Sequence, residues 1–203
     1  DPDIITGWNV EEFDIPYLIN RFTNVVGEDT AKRLSPWNWI YEKQILKTGQ
    51  EKLLKSPLGV TILDYLALYR KFTYTMQESY RLDHIASVEL GDRKLDYSEF
   101  GSLLELYKHD YQKFIDYNIK DVEIVQRLDD KLGLIDLVFA LAYDAKVNYI
   151  DALTSVKMWD IIIHNYLMDK NIVVPRKSNT KGKERQIVGA YVKDPQVGMH
   201  EWV

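Results

Sequence analysis

The stretch Asp3-Ile4-Ile5-Thr6-Gly7-Trp8-Asn9-Val10-Glu11-Glu12-Phe13-Asp14 decides how the rest of the chain reads. Ile4 to Trp8 is a short apolar run of strand type, and Asn9 followed by Glu11 and Glu12 closes it in an acidic turn. Pro16 then stands at the start of a helix, where its fixed φ and missing N–H are tolerated. Tyr17, Leu18, Phe22, Val25 and Val26 follow at helical spacing. The unit is strand–turn–helix, with Phe13-Asp14 at the junction. A carboxylate there projects into the crevice at the edge of a sheet.

Working outward, Asp29-Thr30 is expected to cap a second short helix through Leu34. The alternation of Trp37, Trp39 and Tyr41 predicts a β-hairpin over Trp37 to Ser56, turning at Thr48-Gly49. Gly59 to Leu63 reads as a buried strand, after which Asp64 starts a helix bearing Tyr65, Leu68, Tyr69 and Phe72. From His109 to Lys146 there is no proline, and Gly133 divides the apolar periodicity into two helices. Ser155 is expected to cap a further helix with Val156, Trp159, Ile162, Ile163, Tyr166 and Leu167 as one apolar stripe. The pattern is α/β over the first two-thirds and helical thereafter. Arg176 to Arg185 is strongly basic and has no apolar side chain, so it reads either as a solvated connector or as a phosphate contact.

Composition narrows the chemistry. The 203 residues are 46% hydrophobic and 28% charged, enough for a sizeable core. A net charge of −5 excludes wholesale basic coating of nucleic acid, though not a local groove. With no cysteine, thiolate metal sites, iron–sulfur clusters and cysteine nucleophiles are excluded. There is no glycine-rich phosphate loop and no nucleophile elbow, and His84, His109, His164 and His200 are scattered. Carboxylates remain. Asp121 lies one helical turn after Tyr117, so phenol and carboxylate share a helix face. Hard divalent ions take oxygen ligands, and two such ions about 4 Å apart promote phosphodiester cleavage.

The order of these features resembles the family B DNA polymerases. Asn9-Val10-Glu11-Glu12-Phe13-Asp14 after an apolar strand is similar to that family's second exonuclease motif, and Tyr117-Asn118-Ile119-Lys120-Asp121 to its third. Between them Leu63-Asp64-Tyr65 and Ser79-Tyr80-Arg81-Leu82-Asp83 resemble the intervening blocks, and Ala31-Lys32-Arg33-Leu34-Ser35-Pro36-Trp37 looks most like the T-even phage branch. The resemblance implies a ribonuclease-H-like exonuclease fold, incomplete at its N-terminus, with an inserted β-hairpin and then a helical segment. It implies that Asp14 and Asp121 bind metal, that Tyr117 orients the attacking water, and that Asn9 and Phe13 contact DNA. Magnesium or manganese is the implied cofactor, two ions being expected only in a full-length site.

The resemblance also implies a division of the chain: exonuclease over 1–133, helices packing on an N-terminal domain over 134–180, and the start of a polymerase palm over 181–203. Gly189-Ala190-Tyr191 looks like the small motif joining proofreading and polymerising domains, although Ile187 stands where an aromatic is usual. Gly189 and Tyr191, with Arg176 and Lys177, are the remaining expected DNA contacts. The family's first motif, Asp-x-Glu, is not found ahead of Asp14, and Asp121-Val122-Glu123 is a decoy within the third motif. The expectation is an internal piece of a replicative polymerase, inactive or weakly active alone. Its partners would be primer-template DNA, a single-stranded 3′ end, and a sliding clamp and replisome proteins through other regions. Its setting would be the cytoplasm of an infected bacterial host, with no membrane partner. The alternatives are a non-catalytic nucleic-acid-binding module of the same fold and a stand-alone nuclease.

Overall fold

The computed structural model describes residues 2–47, 50–91, 101–174 and 198. The expected DNA contacts Arg176, Lys177, Gly189 and Tyr191, and the whole 181–203 segment apart from Gly198, lie outside the described residues.

Two parallel strands form the centre. β1 (Ile4–Gly7) pairs with β4 (Thr61–Asp64), Ile4 opposite Thr61 and Gly7 opposite Asp64. Side chains alternate across a strand, so consecutive residues serve opposite faces. Ile5 and Ile62 pack with Val10, Ile15, Ile19 and Val60 on one face. On the other face Ile4 and Leu63 join Tyr65, Leu68, Tyr69, Ile85, Ile124, Leu128 and Val138. A strand buried on both sides needs apolar residues in succession, which is what Ile62-Leu63 supplies. β4 begins at Thr61, later than the periodicity indicated. Gly59 has φ +90°, and a Cβ there would meet Pro36 Cγ at 2.8 Å, so this residue makes a turn.

α1 (Asp14–Val26) and the short α2 (Glu28–Lys32) follow β1. The cap of α2 is Gly27 rather than Asp29; Glu28 and Asp29 sit inside its first turn and bind Lys32. β2 (Ile40–Lys47) and β3 (Gln50–Pro57) then pair antiparallel, from Ile40 opposite Pro57 to Lys47 opposite Gln50. Pairing starts at Ile40 because Trp37 and Asn38 are taken up in a turn. There the Ser35 hydroxyl accepts from Trp37 N (3.1 Å) and donates to the Leu58 carbonyl (2.6 Å).

α3 (Tyr65–Phe72) and α4 (Leu82–Leu90) cover the larger core, followed by α5 (Leu103–His109) and the long α6 (Tyr111–Leu132). Gly133, in the left-handed region at φ +61°, ends α6 and precedes α7 (Leu134–Ala145), as the sequence predicts. Leu134, Val138 and Ala142 of α7 and Ala152 of α8 (Tyr149–Ala152) share the core of the α/β part. α9 (Ser155–Asp169) is capped by Thr154; Ser155 is its first residue, and its hydroxyl accepts from Lys71 Nζ at 3.1 Å.

Two apolar stripes turn outward. On α1 the covered residues are Ile15 and Ile19, whereas Tyr17, Leu18, Phe22, Val25 and Val26 are exposed. In α9 no residue is buried, and Val156, Trp159, Ile163 and Tyr166 are exposed. None of the described helices is long and apolar enough to cross a membrane.

Candidate metal and nucleic-acid site

The site lies at the carboxyl ends of the two parallel strands, where open α/β sheets place their ligands. β1 runs into Trp8 and then Asn9, whose φ of +65° is left-handed, a conformation asparagine accepts more readily than most residues. Phe13 N donates to the Asn9 carbonyl (3.1 Å) and Ile15 N to the Val10 carbonyl (3.0 Å), folding the turn directly into α1. Asp14 is thereby the first residue of the helix, its neighbours on both sides tied to the turn. Trp8 anchors the far wall, donating through Nε1 to the Tyr80 carbonyl at 3.1 Å and packing against Tyr65 and Tyr69.

A cavity of about 510 Å³ opens beside this junction. Its acidic lining comes from separate elements: Asp14 from the start of α1, and Asp121, Asp129 and Asp130 from α6. Asn118 and Gln126 add amides. The two carboxylates singled out in the sequence therefore share one cavity. Asp121 is half-buried, with one carboxylate oxygen shielded from solvent. Tyr117, one turn earlier in α6, is buried and is not among the residues lining the cavity. Glu123 is exposed and also absent from the lining, so the letters Asp-x-Glu at 121–123 do not bring two acids together.

Phe13 is 64% exposed and stacks on Tyr17, ring centroids 6.4 Å apart with planes within 8°. The pair presents a flat aromatic surface next to Asp14. Such surfaces take nucleobases without sequence preference. Asn9 meets the rest of the site through its backbone, its N–H donating to Asp64.

Asp64 is the residue that sequence reasoning undervalued. It was legible as a helix start, and it does cap α3, accepting from Leu66 N at 3.0 Å. Its contacts to the turn after β1 span more than fifty residues and had no local signal. Asp129 and Asp130 likewise had none, being ordinary acids on a long helix until the fold aims them at the cavity.

Partial desolvation pushes the Asp14 carboxyl pKa above its ordinary 3.8; a backbone hydrogen bond opposes this, and the nearby Asp64 charge adds to it. A carboxyl raised in the folded state adds stability below its unfolded pKa, and that contribution is lost as pH rises through the folded value. Asp14→Asn is accordingly expected to flatten the loss of stability as pH rises above the ordinary carboxylate range. Thermal melts across that rise in pH, without divalent cation, check this; a steeper loss in the variant contradicts it. Among the described residues no group of three or more acids and histidines is arranged to hold a metal ion. Asp14 and Asp121 are a pair of hard oxygen donors, suited to magnesium or manganese but fewer than two ions require.

Residues 1–85 match the family model described as DNA polymerase family B, exonuclease domain. The strand–turn–helix unit that supplies Asp14 lies within the matched residues. Similarity to whole polymerases runs through the entire chain and is of the T-even phage type. The chain is 40% identical over 205 residues to the DNA-directed DNA polymerase of Escherichia phage RB69, covering 100% of this chain and 22% of the relative. It is 39% identical over 195 residues to that of Enterobacteria phage T4, covering 96% and 21%. It is 27% identical over 213 residues to the DNA polymerase delta catalytic subunit of Glycine max, covering 99% and 19%. The chain spans about a fifth of the length of these relatives.

Proposed function

We propose that the chain forms the proofreading part of a phage-type replicative DNA polymerase and removes 3′-terminal nucleotides from single-stranded primer ends. The observation that carries this reading is the convergence of Asp14 and Asp121, from different elements, on one cavity at the ends of the parallel strands. Their side chains would hold magnesium or manganese. The ion would supply Lewis acidity and a water of lowered pKa for phosphodiester hydrolysis. Asp14 and Asp121 would contribute the negative charge that favours a cation there, and Tyr117, one turn before Asp121 in α6 though outside the cavity lining, would hold the hydrolytic water through its hydroxyl. Phe13, stacked on Tyr17, would receive the terminal base, and Asn9 would hold the turn that brings Phe13 and Asp14 together. Arg176, Lys177, Gly189 and Tyr191 would contact the DNA backbone further along.

The same reading extends to the fold and setting. The two parallel strands with their flanking helices would be part of a ribonuclease-H-like sheet, and the β2–β3 ribbon an insertion that helps part primer from template. Residues 134–180 would dock on the polymerase's N-terminal domain, to which the outward apolar stripe of α9 is suited. Residues 181–203 would lead into the palm. Additional carboxylates for a second ion, a sliding clamp and other replisome proteins would meet the polymerase elsewhere, within an infected bacterial cell.

In the full-length protein, Tyr117→Phe is expected to lower kcat for magnesium-dependent shortening of a 3′ single-stranded oligonucleotide by roughly 10²-fold, with KM unchanged. Equal rates for both proteins would remove the tyrosine from the mechanism. No magnesium-dependent shortening by the unmodified protein would remove the nuclease reading itself and favour a non-catalytic binding module.

A further inference from the structure

Asp64 is a buried acid, 6% exposed, at the end of β4 and opposite Gly7 in the parallel pair. Its Oδ1 accepts from Asn9 N at 3.1 Å and from Leu66 N at 3.0 Å. Its Oδ2 accepts from Glu11 N at 3.1 Å. One carboxylate thus binds two N–H groups of the turn after β1 and one N–H of α3. The carbonyls of that same turn, Asn9 and Val10, accept from Phe13 and Ile15, the residues flanking Asp14. A continuous run of hydrogen bonds joins the Asp64 carboxylate to the backbone on both sides of Asp14. Capping α3 requires one acceptor oxygen only. The second oxygen is spent on the turn.

We propose that Asp64 is a positioning residue for the nuclease site: its carboxylate clamps the Asn9–Glu11 turn in the left-handed bend that aims Asp14 into the cavity. The inference rests on the reading of Asp14 as a cation-binding acid. Asp64 does not line the cavity and acts through Asp14. The turn has a shape that few residues adopt unaided. Asn9 is at positive φ, and Gly7 must lack a side chain because a Cβ there would meet Val10 Cγ1. Without the clamp the turn relaxes, and Asp14 moves relative to Asp121 although both helices persist. Supporting groups of this kind are worth about 10- to 100-fold in metal affinity or rate.

The test uses Asp64→Ser and Asp64→Asn in the full-length protein. Serine keeps an oxygen to cap Leu66 N but is too short to span the turn as well. Asparagine keeps Oδ1 for Asn9 and Leu66 and turns an amide N–H toward Glu11 N, breaking one arm of the clamp. The expected result is a fall in manganese affinity, read by calorimetry, and in kcat for 3′-end hydrolysis of about 10- to 100-fold for Asp64→Ser. A smaller fall is expected for Asp64→Asn, with KM for the oligonucleotide unchanged in both. Manganese affinity and kcat matching the unmodified protein in either variant that folds would overturn the proposal. So would losses that track melting temperature and vanish on cooling, because they would mark a purely structural acid. Asp14→Ala is the control: if it too leaves hydrolysis and manganese binding intact, the nuclease reading fails and the positioning role falls with it. If Asp14→Ala abolishes both while Asp64→Ser does not, the positioning role alone is lost.

Discussion

Replacing Asp121 with alanine in the full-length protein is expected to reduce divalent-cation-dependent removal of 3′-terminal nucleotides by more than about 100-fold. That figure is the upper end for residues that only support a ligand, and a direct ligand must exceed it. Alanine is the strongest helix former, so α6 has no reason to unwind. Asp121 is half-buried at the cavity wall, with one carboxylate oxygen shielded from water. Loss of rate without loss of folding is therefore the expected signature. Glu123→Ala is the matched control, on the same helix but exposed and outside the cavity, and should behave as the unmodified protein. Comparable activity in the two variants would show that the acids meeting in the cavity are not the reacting site.

The second large effect concerns β4. Leu63 is completely buried, and its neighbour Ile62 faces the opposite core. Leu63→Ala deletes most of a side chain among Tyr65, Leu68, Ile124 and Leu128, where rigid rings and helices cannot collapse into the void. Such truncations cost about 2–5 kcal/mol, a large share of the total stability of a domain. Amide hydrogen exchange within β1 and β4 should accelerate about 30-fold or more, since each 1.4 kcal/mol is a factor of ten. Because Asp64 follows Leu63 directly, the loosened strand should also weaken manganese binding at Asp14. Exchange unchanged in β1 while β4 accelerates would show that the two strands do not open together.

What could be read from the sequence was local. The strand–turn–helix unit around Asp14, the division of two helices at Gly133, and the helix that carries Tyr117 and Asp121 one turn apart all rest on contacts within a few residues. Whatever depended on distant partners was not legible. Asp64 displayed its capping role, which needs only Leu66, but not its grip on Asn9 and Glu11. Gly59 looked like the first residue of a strand because nothing nearby reveals Pro36 against it. Periodicity found the stripes of α1 and α9 but not which way they point. Spacing defines an apolar face, whereas coverage depends on what else is present to pack there. The same limit applied to Asp129 and Asp130, which became part of the cavity only through the placement of α6.

The pairing of Ile40 with Pro57 closes the β2–β3 ribbon at its base, so everything between those two residues is a detour that leaves and returns at one point. Residues gained or lost in matched pairs along its arms would change how far it reaches without displacing β4, Asp64 or the cavity. The arm's span can therefore change while the cavity stays in register.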